Sequence, residues 1–301
     1  VGGAKLALGL QEILPPEMLT VIVNTGDDFW HYGLRISPDV DTVLYTLSGR
    51  VDPVNGWGVV EDTTTTLEAL RNLGENTWFR LGDKDIATHL LRTHLLRQGN
   101  TLTEIVQHLA KAMGIQATIL PMTDAFVPTM IDTIEMGELE FQEYFVRQRW
   151  QPTVKGLRSV GIEQATMPES VLRALTNADI ILYGPSNPWL SITPILSVPR
   201  MREVLLDQAI PRVAVTPIIQ GGAVKGPAAK LMRELGYEVS ARSVVDYYGE
   251  VLNGFVYDER DQALQSHDLR LLATDTMMLT VDDKKRLASK ILNWIYGWDD
   301  K

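Results

Sequence analysis

The 301-residue chain is 45% hydrophobic and carries 28 Lys and Arg against 38 Asp and Glu, a formal net charge of −10. That composition allows a large core and disfavours nonspecific binding to nucleic acid or to an anionic membrane, both of which attract a basic face. Cysteine is absent, which excludes disulfides and thiolate metal sites; apolar runs such as 178–183 and 213–219 fall far short of the roughly twenty residues a membrane helix needs; and no basic segment followed by an apolar stretch opens the chain, so a cytoplasmic protein is expected.

The chain opens on Gly2-Gly3-Ala4-Lys5, and Leu6, Leu8, Leu10 and Ile13 predict a short helix over 4–13, stopped at Pro15-Pro16. A glycine turn that leads into a helix normally follows a strand, so a short strand is expected ahead of Val1. Residues 19–23, β-branched and apolar, predict a buried parallel strand that ends in the polar turn Asn24-Thr25-Gly26-Asp27-Asp28. Ser37-Pro38-Asp39 reads as a helix start, with Asp39 in the first turn. Further strands are predicted at 117–120, 180–183, 212–217 and 237–240, with helices at 85–97, 102–113, 167–175 and 228–235. This alternation implies an α/β, Rossmann-like, doubly wound and mostly parallel sheet. Between them, 131–134, 138–141 and 144–146 read as short strands. A small mixed α+β subdomain is therefore expected at 129–161, inserted into a core of 1–128 and 162–301.

Chemistry concentrates in a few turns. Asp27, Asp28, Asp39 and Asp41 form the densest acidic cluster, and carboxylates in loops at strand ends suit Mg²⁺, although each alone could serve only to cap or turn. Gly2-Gly3-Ala4-Lys5 offers backbone amides, a helix N-terminus and a lysine, the recipe for a diphosphate, though it is neither GxGxxG nor a P-loop. Gly184-Pro185-Ser186-Asn187-Pro188 is a stiff loop able to read a base or ribose, or to act only as a rigid turn. The loop from Gln220 to Pro227, with Lys225, is also suited to phosphate. In Leu81-Gly82-Asp83-Lys84-Asp85, Asp85 is placed to cap a helix, with His89 one turn in. His89 and His94 are five apart, which argues against a shared zinc site. Trp30, Trp57 and Trp78 could pave a flat aromatic pocket or pack as core. No Gly-x-Ser-x-Gly elbow and no cysteine nucleophile is present.

Taken together, Gly2 to Leu6, Val23 to Asp28, Gly33 to Val43, Leu81 to Asp85 with Ala87-Thr88-His89, Phe141 to Tyr144, Gly184 to Pro188 with Ser191-Ile192, and Pro217 to Ile219 resemble the 2-phospho-L-lactate transferase family of coenzyme F(420) biosynthesis. The resemblance runs from the first residue to about Asp261. It implies an Mg²⁺-dependent transferase that moves a phospho-acid (lactate, enolpyruvate or glycerate type) from a guanosine diphosphate conjugate to the ribityl hydroxyl of a deazaflavin, 7,8-didemethyl-8-hydroxy-5-deazariboflavin, with release of GMP. By the same resemblance Asp41, Thr42, Lys84 and His89 contact the deazaflavin, and Asp39 and Asp41 serve catalysis. Asp27, Asp28 and Asp39 hold the metal, and Gly2, Gly3, Lys5, Asn24, Gly184, Ser186 and Asn187 hold the nucleotide conjugate. Small-molecule substrates and a homodimer are implied. A non-catalytic nucleotide-sugar-binding regulator of the same fold is the alternative, and a nicotinamide dehydrogenase is disfavoured because its fingerprint is missing.

Overall fold

The computed structural model describes residues 1–224 and 226–298; Lys225, named above for phosphate, lies outside them. The chain forms two compact units, one of Val1 with Thr20–Pro168, the other of Gly2–Leu19 with Glu169–Lys301. The division thus falls at 168/169 rather than at 129 and 161, and the N-terminal helix α1 (Gly2–Gln11) belongs to the second unit.

In the first unit, strand β1 (Thr20–Val23) is followed by the hairpin β2 (Phe29–His31) and β3 (Leu34–Ile36), then by helices α2 (Pro38–Leu47), α3 (Thr65–Asn72), α4 (Asp83–Arg97) and α5 (Leu102–Ala112). Strand β4 (Thr118–Pro121) returns parallel to β1, with Val23 opposite Pro121, so the 24–28 turn stands at the carboxyl end of a parallel pair. Such ends are where open α/β sheets bind ligands. Helix α5 carries a complete capping box, Thr101 with Glu104, and its stripe Leu102, Ile105, Val106 and Leu109 is buried.

The segment expected as a small subdomain contains an antiparallel sheet, β6 (Gly137–Glu140), β5 (Thr129–Thr133) and β7 (Val154–Ser159), with β5 central. The predicted strand at 144–146 is instead one turn of π-helix, Glu143–Arg147. Its apolar residues are spaced as on a helix: Phe141 and Phe145 stack at 5.5 Å and Tyr144 is buried.

The second unit is a four-stranded parallel sheet in the order β13, β12, β9, β8. In chain order its elements are α6 (Glu169–Thr176), β8 (Ile181–Tyr183), α7 (Thr193–Ser197), α8 (Met201–Leu206) and β9 (Arg212–Val215). A small hairpin follows, β10 (Ile218–Ile219) with β11 (Gly222–Ala223), then α9 (Ala228–Glu234), α10 (Ala241–Tyr248), β12 (Gly254–Asp258), β13 (Arg270–Thr274) and α11 (Val281–Tyr296). The predicted strand at 237–240 is a link between helices. Gly236, at φ +83°, closes α9 with the Tyr237 amide donating to the Met232 carbonyl, and the Ser240 hydroxyl accepts from the Ser243 amide to start α10. The core packs Leu6 and Leu10 of α1 and Leu287, Ala288, Ile291, Leu292 and Ile295 of α11 against Val213, Val215 and Val256 of the sheet. Among the described residues no helix is long and apolar enough to cross a membrane.

Candidate active site

The turn after β1 folds onto its own side chains. The Asn24 carboxamide oxygen accepts from the Gly26 amide at 2.8 Å, while its nitrogen donates to Asp27 at 2.6 Å and to Asp39 at 3.1 Å. Asn24, expected at the nucleotide conjugate, therefore has its amide engaged by two carboxylates. Burial first, then the charges of Asp39 and Asp28, push the Asp27 carboxyl well above the usual carboxylate range.

Asp28 lies in the same turn but is differently occupied. One of its oxygens accepts from Arg35 Nε at 3.1 Å and Nη2 at 2.8 Å, and from the Ser37 hydroxyl at 2.7 Å. Ser37 stands at the N-cap of α2, and its hydroxyl is thus given to Asp28 rather than to the helix. The other Asp28 oxygen is buried without a hydrogen bond. Asp27 and Asp39 meet at the Asn24 amide nitrogen, but among the described residues Asp27, Asp28 and Asp39 do not bring their ligand oxygens together within 4.8 Å as a three-carboxylate metal set. Arg35 is sandwiched further out, 4.2 Å from the Phe126 ring centroid and 6.0 Å from that of Trp30, both rings half exposed. Trp78 packs instead with Phe29, His31 and Phe79, and Trp57 sits in the exposed 51–62 loop, so the three tryptophans do not pave one surface.

One turn into α2, Asp41 turns inward. Both its oxygens accept from the Arg92 guanidinium of α4, which is fully buried and also donates to the Arg35 carbonyl at 3.3 Å. Arg92 Nη1 lies 3.1 Å from His89 Nδ1, and His89 Nε2 lies 3.2 Å from Asp85, which accepts the Tyr45 hydroxyl at 2.6 Å. Burial opposes the charge on Asp85, but His89, Tyr45 and Arg92 outweigh it and hold its carboxyl below the ordinary range. Asp41, Asp85 and His89 converge closely enough to ligate a metal. The Arg92 guanidinium already provides the cation there, pairing with Asp41 through both nitrogens, so the group reads as a buried ion network.

The capping of α4 also differs from expectation. Asp62 accepts from the Lys84 and Asp85 amides at 2.8 and 3.1 Å, while Asp83 accepts from the Thr65 and Thr66 amides at 3.0 and 2.9 Å to start α3. Asp85 is freed from capping for the ion network. Lys84 Nζ donates to the Val60 and Glu61 carbonyls at 3.1 and 2.9 Å, steadying a bend where Glu61 has φ +51°. Thr42, on the turn of α2 next to Asp41, is buried.

In the second unit the two glycine-bearing loops meet. A Cβ on Gly2 would lie 2.1 Å from the Pro185 carbonyl oxygen, and one on Gly184 would lie 2.7 Å from the Gly3 Cα. A Cβ on Gly3 would stand 2.8 Å from the Ser186 hydroxyl. Backbone is the obstacle at Gly2 and Gly184, so glycine is needed there for close approach, while at Gly3 only the Ser186 hydroxyl would have to turn away. The N-terminus of α1 is thus brought against the loop after β8. Lys5 Nζ donates to the Met278 carbonyl at 2.9 Å. The Asn187 side-chain oxygen caps the following π-turn by accepting from the Trp189 and Leu190 amides, which leaves its buried NH₂ group without a partner. Sequence reasoning missed Arg92, Arg35 and Tyr45. The i, i+3 spacing of His89 and Arg92 marks one helix face, but nothing local tells that this face is buried.

Parallel α/β sheets with polar loops at strand ends, a carboxylate cluster in one unit and a glycine-built turn in the other define an α/β protein equipped to bind ligands beyond its strand ends. A family model described as 2-phospho-L-lactate transferase CofD matches residues 1–293, and the chain belongs to that family. It is 44% identical over 295 residues to the 2-phospho-L-lactate transferase of Methanosarcina mazei, covering 97% of this chain and 96% of that protein. The enzyme of the same name from Methanocaldococcus jannaschii is 39% identical over 97% and 95%, and a phosphoenolpyruvate transferase of Streptomyces griseus is 36% identical over 97% and 95%. A Bacillus halodurans protein of the UPF0052 family shares the fold, with a TM-score of 0.63 at 16% identity over 97% of this chain and 96% of that one.

Proposed function

We propose that the enzyme transfers a phospho-acid from a guanosine diphosphate conjugate to the terminal ribityl hydroxyl of 7,8-didemethyl-8-hydroxy-5-deazariboflavin, releasing GMP, in coenzyme F(420) biosynthesis. The observation that carries this reading is the family match along residues 1–293, together with relatives named for this transfer that span nearly the whole chain. The acceptor oxygen bonds to the phosphorus that bears the acid, and the bond from that phosphorus to the bridging oxygen breaks. GMP leaves with the electron pair. Asp39, less buried than Asp27 and Asp28, is the carboxylate suited to take the hydroxyl proton. Asp27 and Asp39 would hold Mg²⁺, with Asp28 beside them in the turn and water and phosphate oxygens as further ligands, and the ion would supply charge neutralisation on the transferring phosphoryl group.

The cradle of Gly2, Gly3, Gly184 and Ser186 supports binding of the nucleotide conjugate, with the amides of the first turn of α1 facing its phosphates and the Asn187 amide offering a donor. Asp41, Thr42, Lys84 and His89 are assigned to the acceptor side. The ion pairs around Asp41 support a binding rather than a proton-accepting role for it, because Arg92 holds both its oxygens. The same reading takes the enzyme as a cytoplasmic homodimer, which light scattering on the purified protein checks.

The test mixes the protein with Mg²⁺, the deazaflavin and each of the lactyl, enolpyruvyl and glyceryl conjugates, and follows GMP by chromatography. Release that needs both the deazaflavin and the divalent cation, and that names one preferred acid, establishes the function. Tight nucleotide binding without release from any conjugate overturns it in favour of a regulatory binding protein.

A further inference from the structure

We infer that Arg92 is a positioning residue for acceptor binding, acting through Asp41 first and through His89 beside it. The inference rests on the proposed transferase reading, in which Asp41 meets the deazaflavin.

Arg92 lies on α4 and is completely buried, yet nearly all of its hydrogen bonding is directed at groups next to the acceptor side. It donates to both Asp41 oxygens, to the Arg35 carbonyl and to His89 Nδ1. A carboxylate oxygen has two acceptor directions. A planar fork that takes one direction on each oxygen fixes the carboxylate plane and leaves the remaining pair aimed at fixed points, which a flexible or singly bonded partner cannot do. Asp41 is 4% exposed, so without this cation it would be an uncompensated buried charge.

The network behind Arg92 is built to hold the guanidinium still. Arg92 can only donate, so in its contact with His89 Nδ1 that nitrogen accepts; His89 Nε2 lies 3.2 Å from Asp85 as a charge contact and not as a hydrogen bond. Asp85 is anchored in turn by the Tyr45 hydroxyl, on the same helix as Asp41. The chain Tyr45, Asp85, His89, Arg92, Asp41 therefore leaves α2, crosses to α4 and returns to α2 one turn away. The bidentate Arg92 pair ties Asp41 to α4, whose first turn carries Lys84. An ion pair needed only for stability would not require this closure, since a hydrophobic pair of equal volume often serves stability as well.

The test is a double-mutant cycle read in steady-state kinetics of the magnesium-loaded full chain, with KM measured separately for deazaflavin and for the nucleotide conjugate. Arg92→Met is expected to raise the deazaflavin KM about tenfold or more, leaving the conjugate KM within about twofold. Arg92→Lys, which keeps the charge and loses the fork, is expected to fall between. In an Asp41→Asn background, Arg92→Met is expected to raise the deazaflavin KM much less than it does alone, because the main residue it acts through is already altered. The Asp41→Asn/Arg92→Met protein carries no buried charge at this pair and keeps the cycle readable if Arg92→Met alone fails to fold, with Arg92→Lys as its single-site arm. Equal loss for both substrates, or the same increase in deazaflavin KM in the Asp41→Asn background, overturns the inference. A wild-type enzyme that releases no GMP with the deazaflavin fails the functional reading itself, a result distinct from either.

Discussion

Asp27 shows how a single residue can be placed against its own stability. Its carboxylate is buried beside those of Asp39 and Asp28, and the nearby guanidinium of Arg35 is committed to Asp28. Replacing Asp27 with Asn removes one of these crowded charges. In metal-free buffer at neutral pH it should raise the urea midpoint, by on the order of 1 kcal/mol of stability, while lowering transferase activity at least a hundredfold. A parallel loss of stability and activity would mean the cluster is structural. Asp85 behaves in the opposite sense. Its folded carboxyl titrates below the ordinary 3.8, so the stability it contributes is complete above that value and is lost as pH falls through the folded value. Asp85→Asn should therefore lower stability at pH 7 and flatten the acid limb of the stability–pH curve below about pH 4, as followed by circular dichroism. The residues that close these clusters, Arg35, Tyr45 and Arg92, are the ones a linear reading passes over. A lone arginine within a helical stretch looks like a solvated face until tertiary packing buries it.

At the scale of elements, local chemistry was most legible where a cap or breaker punctuated a periodic run. Pro38 opens α2 and the Thr101–Glu104 box opens α5, and both helices stand where the pattern puts them. The strand expected at 237–240 is absent because Tyr237 closes the end of α9, its amide donating to the Met232 carbonyl, and Ser240 caps the start of α10. The π-turn at Glu143–Arg147 was mistaken for a strand because three apolar residues in a row carry no period. Helix α11, not anticipated, had its signal in Thr280 and Asp283, a reciprocal cap, followed by the stripe Leu287, Ala288, Ile291, Leu292 and Ile295. Thr280→Ala should cost about 1 kcal/mol and Ile291→Ala about 2–5 kcal/mol in denaturant unfolding, the latter because Ile291 is fully buried against the sheet. In the glycine cradle, Gly2→Ala drives a Cβ to 2.1 Å from the Pro185 carbonyl, so backbone must move. Its expected result is a conjugate KM raised about tenfold with the deazaflavin KM unchanged, in the same assay of GMP release.

For the molecule as a whole, the assignment of acceptor and metal to one unit and nucleotide cradle to the other predicts separate footprints in hydrogen exchange. Deazaflavin should slow exchange over residues 35–47 and 84–93, and GDP over 2–6 and 184–190, each with little change in the other set. Exchange slowed by GDP chiefly in the first set would refute that division of labour. Local order was enough to place the α/β class, the parallel strands β1, β4, β8 and β9, and the polar and glycine-bearing turns at 24–28 and 184–188. Those follow from strand runs, caps, glycines and clustered acids, all set by interactions within a few residues of one another. Packing between distant segments assigned the partner of each charged group. It gave Asp28 to Arg35, Asp41 to Arg92 and Asp62 to the start of α4, and it drew Asn24 to the carboxylates. These pairings join residues up to 51 positions apart. The cost of burying a charge without a counter-ion selects such partners only after the helices have packed, and that cost has no signature in the local order of the chain.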